Sequence, residues 1–437
     1  MTQPLSGFRT ILTYYGDDFT GSTDALEALA LNGIESVLFL DTPPEDALER
    51  FPACRAVGLA GEGRSRNPEW MSAHLPAVFE RLKRFGAPIC QYKVCSTFDS
   101  SPETGNIGRA AEIGQAVFGA PYVPVVVAAP HLKRYVLFGN LFAAAGESPI
   151  YRIDRHPVMR CHPVTPMDEA DLGRHLMRQT RREAGSVDIL ALQNGGADRA
   201  FEAAVTGGAQ LIVFDGLDEA SLRECGRLLW HRPPGFAVGS SGLTYALICF
   251  WRACGWIPPA PEPRKAEAVD RLVVLSGSCS PVGERQIRWA MENGFTGVRL
   301  DAVGFAAGGE GRETALREGL NVLADGRNVV LYSALGQSGA NQSIQRDELG
   351  RQMGLLLRDL LLKSGVRRAV IAGGDTSSHA GRQLGVAALT FHAPLSPGAP
   401  LCRAHSDSPE LDGLQLVFKG GQVGPEHFFG MALTGEI

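Results

Sequence analysis

Short apolar runs alternate with amphipathic stretches along almost the whole chain, and this alternation limits the fold more than any other feature. Runs such as Leu211–Phe214 have the length of a strand and the continuous hydrophobicity of strands buried on both faces. Stretches such as Ser22–Leu31 carry apolar residues at helical spacing and end at a turn signal, here Asn32-Gly33. The pattern predicts an α/β fold of mainly parallel sheets with helices on both faces.

The remaining predicted elements follow the same pattern. Further strands are predicted at Phe8–Tyr15, Val37–Leu40, Ile89–Val94, Val123–Ala128, Asp188–Leu192, Phe236–Val238, Arg271–Leu275, Gly297–Leu300, Asn328–Tyr332, Ala369–Ile371 and Leu414–Phe418. Further helices are predicted at Glu69–Phe85, Asp168–Arg182, Ser221–Trp230, Gly283–Asn293 and Gln345–Lys363.

A proline-rich stretch divides the chain. Residues 255–267 contain Pro258, Pro259, Pro261 and Pro263, a composition typical of a stiff, extended linker. We therefore predict an N-terminal domain over residues 1–254, a linker over 255–268 and a C-terminal domain over 269–437. Two α/β domains that meet at a cleft are a common architecture for an enzyme acting on small molecules.

Charge and cysteine content exclude several functional classes. The formal net charge of −5 disfavours a nucleic-acid binder, and no apolar stretch approaches the roughly 20 residues of a membrane span. The N-terminus has no secretory signal pattern, and the nine cysteines form no Cys-x-x-Cys pair. We expect a cytoplasmic protein with reduced thiols that binds neither nucleic acid nor a membrane. A homodimer is an open expectation.

An acidic pair follows the first predicted strand. Asp17 and Asp18 stand between Gly16 and Gly21, where the strand ends and a helix begins. Ligands of open α/β sheets bind at the carboxyl ends of strands, where two carboxylates could hold hydroxyls, accept a proton or bind a cation. The alternative is that an aspartate in this stretch, including Asp24, only caps the helix.

Two further polar segments are candidates for recognising an anion. Lys93, Ser96 and Thr97 follow another strand and could bind a carboxylate or phosphate. Arg155 belongs to a loop over residues 151–166 that contains three arginines and two histidines, and its planar guanidinium could grip a carboxylate. Solvated surface charge is the alternative for both segments.

Three small-residue turns in the C-terminal half each follow a predicted strand. Turns of this kind expose backbone N–H groups, and a helix N-terminus adds positive potential, so they predict a phosphate-binding cradle. Neither a P-loop nor a convincing dinucleotide fingerprint is present. The residues of the turns are Ser276-Gly277-Ser278, Gly373-Gly374-Asp375-Thr376 and Gly420-Gly421.

In this order, the motifs resemble those of the four-carbon acid sugar kinase family. The matching segments are Gly16-Asp17-Asp18-Phe19-Thr20-Gly21, Lys93-Val94-Cys95-Ser96-Thr97, Ser276-Gly277-Ser278, Gly373-Gly374-Asp375-Thr376-Ser377 and Lys419-Gly420-Gly421-Gln422-Val423-Gly424. The resemblance implies a substrate-binding N-terminal domain and a nucleotide-binding C-terminal domain. It implies ATP-dependent phosphorylation of a terminal hydroxyl on an acid such as threonate, erythronate or 3-oxo-tetronate, with Ser276, Gly373 to Thr376 and Gly421 as ATP contacts.

The chain departs from the family pattern mainly on the substrate side. In the family an Arg-Gly turn closely follows the lysine motif, whereas residues 98–106 intervene here, and Gln422-Val423 stand where the family more often has Asn-Phe. A branched acid such as 3-oxo-isoapionate is therefore a credible substrate.

The family hypothesis assigns a role to each group. Asp17 or Asp18 accepts the proton of the hydroxyl, Lys93, Ser96 and Arg155 hold the carboxylate, and Asp375 holds Mg²⁺ through water, with Asp375 also a rival base. A dinucleotide-dependent sugar-acid dehydrogenase and a non-catalytic sensor of sugar acids and nucleotides are the alternatives.

Overall fold

A computed structural model describes residues 4–146, 149–162, 164–306, 310–336 and 346–436, except for the side chains of Ala306, Arg346 and Asp375. The strands in these ranges are β1 Leu12–Gly16, β2 Ser36–Phe39, β3 Ala56–Ala60, β4 Ile89–Lys93, β5 Val123–Val126, β6 Arg134–Leu137, β7 Asn140–Ala144, β8 Ile150–Arg152, β9 Ala184–Val187, β10 Leu211–Phe214, β11 Gly235–Gly239, β12 Val273–Ser276, β13 Phe295–Arg299, β14 Asn328–Tyr332, β15 Arg368–Ala372, β16 Ala388–Ser396, β17 Ala399–His405 and β18 Gln415–Lys419.

The helices lie between these strands, as expected for an α/β protein. They are α1 Phe19–Ala30, α2 Pro68–Lys83, α3 Ile107–Phe118, α4 Leu172–Met177, α5 Ile189–Gln193, α6 Ala197–Thr206, α7 Glu219–His231, α8 Ser241–Ala253, α9 Pro281–Glu292, α10 Ala302–Ala306, α11 Glu310–Ala324, α12 Arg346–Ser364, α13 Gly374–Gly381 and α14 Phe428–Thr434.

Two groups of parallel strands form the two halves of the molecule. The N-terminal group runs in the order β2-β3-β1-β4-β11-β5-β10-β9, and the C-terminal group in the order β13-β14-β12-β15-β18. Strand β10, for example, is buried throughout, which explains why its sequence is continuously apolar. The α/β class predicted from the sequence is confirmed.

A hairpin joins the two groups into one sheet of fifteen strands, a feature that the sequence analysis did not predict. Within this hairpin β16 pairs antiparallel with β17, β17 pairs antiparallel with β18, and β16 pairs antiparallel with β2. Residues 254–272, which include the predicted proline-rich linker, contain no helix or strand. The sheet hydrogen bonds of β16 therefore tie the N-terminal strands to the C-terminal ones.

One predicted strand is wrong. Asp188–Leu192 contributes to helix α5, and the neighbouring strand β9 ends before it. The Asp188 carboxylate accepts a hydrogen bond from the Ala191 N–H at 2.8 Å and so caps the helix. A short apolar run does not distinguish a buried strand from a buried helix, and the capping aspartate decides between them here.

A small antiparallel sheet, β6-β7-β8, follows β5 and extends the N-terminal half near the carboxyl ends of its strands. Two backbone hydrogen bonds between Ala129 and Arg134 hold its first strand, β6, close to the end of β5. The arginine- and histidine-rich loop follows β8. No described helix is long and apolar enough to cross a membrane, and no disulfide joins the nine cysteines, all of which lie in the described ranges.

Candidate active site

The acidic pair lies at the carboxyl end of β1, as predicted. Asp18 is the N-cap of α1, where its carboxylate accepts hydrogen bonds from the Gly21 N–H at 2.7 Å and the Thr20 hydroxyl at 2.6 Å. The capping alternative is thus correct for Asp18. Asp17 is equally buried but does not cap the helix, so the two adjacent carboxylates have different surroundings.

Arg64 holds both carboxylates, and the sequence analysis missed it. Its Nη2 and Nε atoms lie 2.7 and 3.3 Å from the two oxygens of Asp17, and its Nη1 lies 3.0 Å from Asp18. The backbone N–H of Arg64 also donates to the carbonyl of Asp17 at 2.9 Å. The sequence feature that could have indicated Arg64 is the apolar run of β3, which ends in a glycine-rich polar turn next to β1.

Asp17 has a perturbed acidity. Burial raises the pKa of its carboxyl from 3.8 to about 6, the positive charge of Arg64 opposes this shift, and the charge of Asp18 adds to it. A carboxylate with a pKa near the working pH is well suited to accept and return a proton. The surroundings of Asp17 therefore suit a general base.

Lys93 lies beside the acidic pair but is already neutralised. Its ammonium group is buried and lies 3.0 Å from the carboxylate of Asp24. A Cβ atom added at Gly21 would be 3.3 Å from the Lys93 Nζ and 3.7 Å from an Nη atom of Arg64, so these cations border one space. Asp24 thus pairs with Lys93 and does not cap α1.

The turn after β4 brings Ser96 and Thr97 to the same edge of the sheet. Ser96 is half-buried, and the buried Thr97 hydroxyl donates to Asp99 at 2.5 Å. The next residue, Phe98, has φ +57°, a left-handed conformation that is rare for a bulky side chain. Arg64 and the Thr97 hydrogen bond lower the pKa of the buried Asp99, although burial opposes them. Strained backbone of this kind clusters at functional sites.

Arg155 does not join this group in the structure. It is exposed, and its charge acts on Asp154, which is also paired with Arg152. His156 is buried and organises the loop, because its Nδ1 accepts hydrogen bonds from the N–H groups of Val158 and Met159. Within the described part of this loop, His162 lies close enough that a positive charge on it would lower the pKa of Asp99.

The three small-residue turns lie side by side at the ends of β12, β15 and β18. The Gly277 N–H donates to Ala372 at 3.0 Å, and the Gly373 N–H donates to Lys419 at 2.8 Å. The Ser280 hydroxyl donates to the Gly421 carbonyl at 2.5 Å, and Ser278 lies against Gly421. All three predicted turns therefore form one surface.

Close approach explains the glycines of this surface. A Cβ atom at Gly277 would be 2.0 Å from the Thr376 hydroxyl, and Gly373 has φ +116°. Helix α13 begins at Gly374, which directs its free N–H groups towards the turns. Among the described residues, the buried Ser276 hydroxyl has no hydrogen-bond partner. The arrangement fits a phosphate-binding cradle.

Lys419 is buried directly behind the third turn. Its Nζ donates to the Gly420 carbonyl at 2.8 Å, and burial lowers the pKa of the ammonium group from 10.5 to about 7. An anion bound nearby would restore the charged form.

The acidic pair and the cradle meet across the domain boundary. A Cβ atom at Gly374 would lie 3.7 Å from a carboxylate oxygen of Asp18. The Phe19 N–H approaches the Ser378 hydroxyl at 3.3 Å, and the Phe19 ring packs edge-on against Phe418 with centroids 5.7 Å apart. One space is therefore bordered by the acids of the first half and the glycine turn of the second.

An ionic network spans the two halves beside this space. Arg66 bonds to Glu62 at 2.7 Å and to Asp347 of α12 at 2.8 Å, while His379 of α13 lies 3.2 Å from Asp347. These residues line an open cleft of about 640 Å³. The network connects the turn that carries Arg64 to the helix that begins at the cradle.

Asp375 was predicted to hold Mg²⁺, and its side chain lies outside the described part of the structure. Within the described ranges, no three His, Cys, Asp or Glu side chains are grouped as metal ligands. Mg²⁺ commonly binds through one or two carboxylates together with phosphates and waters, so an acidic pair next to a phosphate cradle fits this ion.

Comparisons with known proteins agree with a division into an N-terminal and a C-terminal domain. Residues 12–247 match the sequence model of a sugar-binding N-terminal domain, and residues 273–429 match that of a nucleotide-binding C-terminal domain. A Paraburkholderia graminis protein named 3-oxo-isoapionate kinase is 45% identical over 98% of this chain and 95% of its own length. A Cupriavidus necator 3-oxo-tetronate kinase is 29% identical over 99% of both chains. A Salmonella typhimurium crystal structure aligns with TM-score 0.77 and 26% identity, covering 96% of this chain and 98% of its own.

Proposed function

The chain belongs to the four-carbon acid sugar kinase family, and we propose that it transfers the γ-phosphoryl group of ATP to the terminal hydroxyl of a four-carbon or branched sugar acid. The relative from Paraburkholderia graminis makes 3-oxo-isoapionate the first candidate substrate, and that from Cupriavidus necator makes 3-oxo-tetronate the second. Threonate and erythronate follow, as implied by the resemblance seen in the sequence.

One observation carries this proposal. The glycine turn that begins α13 lies against the Asp18 carboxylate, with 3.7 Å between that oxygen and a Cβ atom placed on Gly374. A kinase must hold its phosphoryl donor and acceptor next to one another, because the transfer depends mainly on positioning and charge neutralisation.

Asp17 acts as the base in this proposal. The substrate hydroxyl oxygen forms a bond to the γ-phosphorus, the bond from that phosphorus to the bridging oxygen of ADP breaks, and the hydroxyl proton passes to Asp17. Arg64 orients Asp17 through two nitrogen atoms, whereas Asp18 keeps the start of α1 in place. These different contacts favour Asp17 over Asp18 as the base.

The nucleotide phosphates lie on the cradle. The free backbone N–H groups in the first turn of α13 bind phosphate oxygens, and the unpartnered Ser276 hydroxyl can donate to one of them. The N–H groups of Gly277 and Gly373 already donate to carbonyls, so these two glycines contribute only close approach. The contact residues are Ser276, Gly277, Ser278, Gly373, Gly374, Asp375, Thr376 and Gly421. Mg²⁺ held by Asp18, and by Asp375 as predicted from the sequence, would neutralise the triphosphate charge.

The sugar acid occupies the N-terminal side of the space. Lys93, Ser96 and Thr97 border it and can bind its oxygen atoms. Arg155 remains a prediction from the sequence, since its exposed position gives the proposal no support. Closure of the two halves through the Arg66–Asp347 ion pair would exclude water from the transfer.

We also propose a cytoplasmic location and a homodimer. Nine cysteines without a disulfide suit a reducing compartment. Light scattering on the purified protein measures the oligomeric state directly, and a monomeric mass would contradict the dimer.

The decisive experiment measures ADP release with Mg²⁺-ATP against 3-oxo-isoapionate, 3-oxo-tetronate, threonate and erythronate. We expect at least one acid to give stoichiometric ADP and a phosphorylated product, identified by mass spectrometry. Asp17→Asn should lose turnover yet bind ATP almost as well as the wild type does. Reduction of NAD without ADP release would favour the dehydrogenase, and binding of both ligands without turnover would favour the sensor.

A further inference from the structure

The cations already assigned to the sugar-acid side are neutralised within the protein. Lys93 pairs with Asp24 at 3.0 Å, and Arg64 pairs with both Asp17 and Asp18. A bound sugar acid would add a further carboxylate, and a buried carboxylate needs a cation or several hydrogen-bond donors. A positive group that is not already paired would meet this need.

Arg134 has this property. Its Nη1 lies 2.9, 3.2 and 3.0 Å from the carbonyl oxygens of Leu132, Lys133 and Ala144, which fixes the guanidinium in place. Its Nε is buried, and none of the described residues accepts a hydrogen bond from it or forms an ion pair with Arg134. Burial without a nearby carboxylate lowers the pKa of the guanidinium. The side chain is rigidly held, yet its charge is not compensated.

The position of Arg134 connects it to the site. It is the first residue of β6 and exchanges backbone hydrogen bonds with Ala129, three residues beyond the end of β5. It also interacts electrostatically with Cys95, two residues beyond Lys93. Cys95 in turn interacts with Arg64 and lies 3.0 Å from the Thr97 hydroxyl. Arg134 and Arg64 therefore share Cys95 as an electrostatic neighbour.

We propose that Arg134 binds the carboxylate of the sugar-acid substrate through the guanidinium edge that its backbone contacts leave free. This inference rests on the proposed function, because it assumes that the substrate is a sugar acid. A fixed guanidinium recognises a carboxylate with little loss of side-chain entropy. Arg134 would thus distinguish acids from neutral sugars of the same shape.

The test compares the best sugar-acid substrate with its uncharged carboxamide in wild type, Arg134→Gln and Arg134→Lys. In the wild type, we expect kcat/KM for the acid to exceed that for the amide by roughly tenfold to a hundredfold, as for one charged hydrogen-bonded contact. Arg134→Gln should lose most of this ratio through a higher KM for the acid, with the KM for ATP unchanged. Arg134→Lys keeps the charge and should retain part of the ratio. Arg199→Gln, which removes an exposed arginine from α6, is the matched control and should behave as the wild type does.

The outcomes separate the two proposals. If the wild type releases no ADP with any acid, the proposed function fails and this inference fails with it. Normal wild-type turnover with an unchanged acid-to-amide ratio in Arg134→Gln would overturn the inference alone. If that variant does not fold, a wild-type kcat/KM that is the same for the acid and its amide would overturn it. A lower melting temperature with an unchanged ratio would assign Arg134 a purely structural role.

Discussion

The acidity of Asp17 makes a quantitative prediction about the pH dependence of the reaction. With a pKa of about 6, Asp17 is about 90% ionised at pH 7 and about 10% ionised at pH 5. A base must be ionised to accept a proton, so kcat/KM should fall about tenfold as the pH decreases between these values. An aspartate with the ordinary pKa of 3.8 would still be about 94% ionised at pH 5, and the rate would barely change.

Comparison with Arg64→Met isolates the contribution of Asp17. Because the positive charge of Arg64 lowers the pKa of Asp17, its removal should move the acid limb of the profile to higher pH. ATP also titrates in this range, but wild type and variant share the same substrates, so the difference between their midpoints reports on the enzyme. Initial rates at low sugar-acid concentration, with ADP quantified chromatographically from pH 4.5 to 8, would measure both profiles. A wild-type profile that stays flat down to pH 5, or a midpoint that moves down in Arg64→Met, would refute the reasoning.

Three further predictions test the cradle and the helix cap. Gly374→Val should weaken ATP binding at least tenfold in calorimetry, because the added side chain occupies the space between the cradle and Asp18; Gly196→Val at the N-cap of α6, which has no atom within 3.5 Å of its Cβ position, is the matched control. Lys419→Met should raise the melting temperature at pH 7. The folded-state pKa of Lys419, about 7, lies below its unfolded value of 10.5, so wild-type stability should increase as the pH rises from 7 towards 10.5, and this increase should be smaller in the variant. Asp18→Ala should lower the free energy of unfolding in urea by about 1 kcal/mol more than Asp18→Asn does, because both variants lose the charge paired with Arg64 but only asparagine can still cap α1; equal losses in both variants would contradict the capping role.

Those parts of the fold that depend on local pattern could be predicted from the sequence. Leu211–Phe214 and Asn328–Tyr332 have the predicted bounds, because polar residues on both sides of an apolar run fix where the strand begins and ends. Asp188 shows the limit of this reasoning, since the same kind of run became a helix once its first residue acted as a cap. The β16–β17 hairpin was not predicted, because pairing between β16 and β2 joins residues some 350 positions apart.

The candidate site likewise contains residues that local sequence pattern predicts and residues that it does not. Asp17, Asp18 and the glycine turns could be found because each follows a strand, and the carboxyl ends of parallel strands are where ligands bind. Arg64 could not be assigned, since its contact with Asp17 spans 47 residues and depends on the pairing of β1 with β3. Lys93 was identified as a cation near the site, but its pairing with Asp24 depends on the rotation of α1. Charge neutralisation of this kind is visible only in three dimensions.

A crystal structure with a non-hydrolysable ATP analogue and the sugar acid would test most directly whether the acids of the first half and the turns of the second form one active site. The distance to measure joins the terminal phosphorus to the nearest carboxylate oxygen of Asp17. Hydrogen bonding of the hydroxyl to its base and a near-attack approach to phosphorus together allow about 7 Å at most, and we predict a value within that limit, with the phosphates on Gly373–Thr376. A terminal phosphate far beyond this distance, or bound away from those turns, would contradict the account.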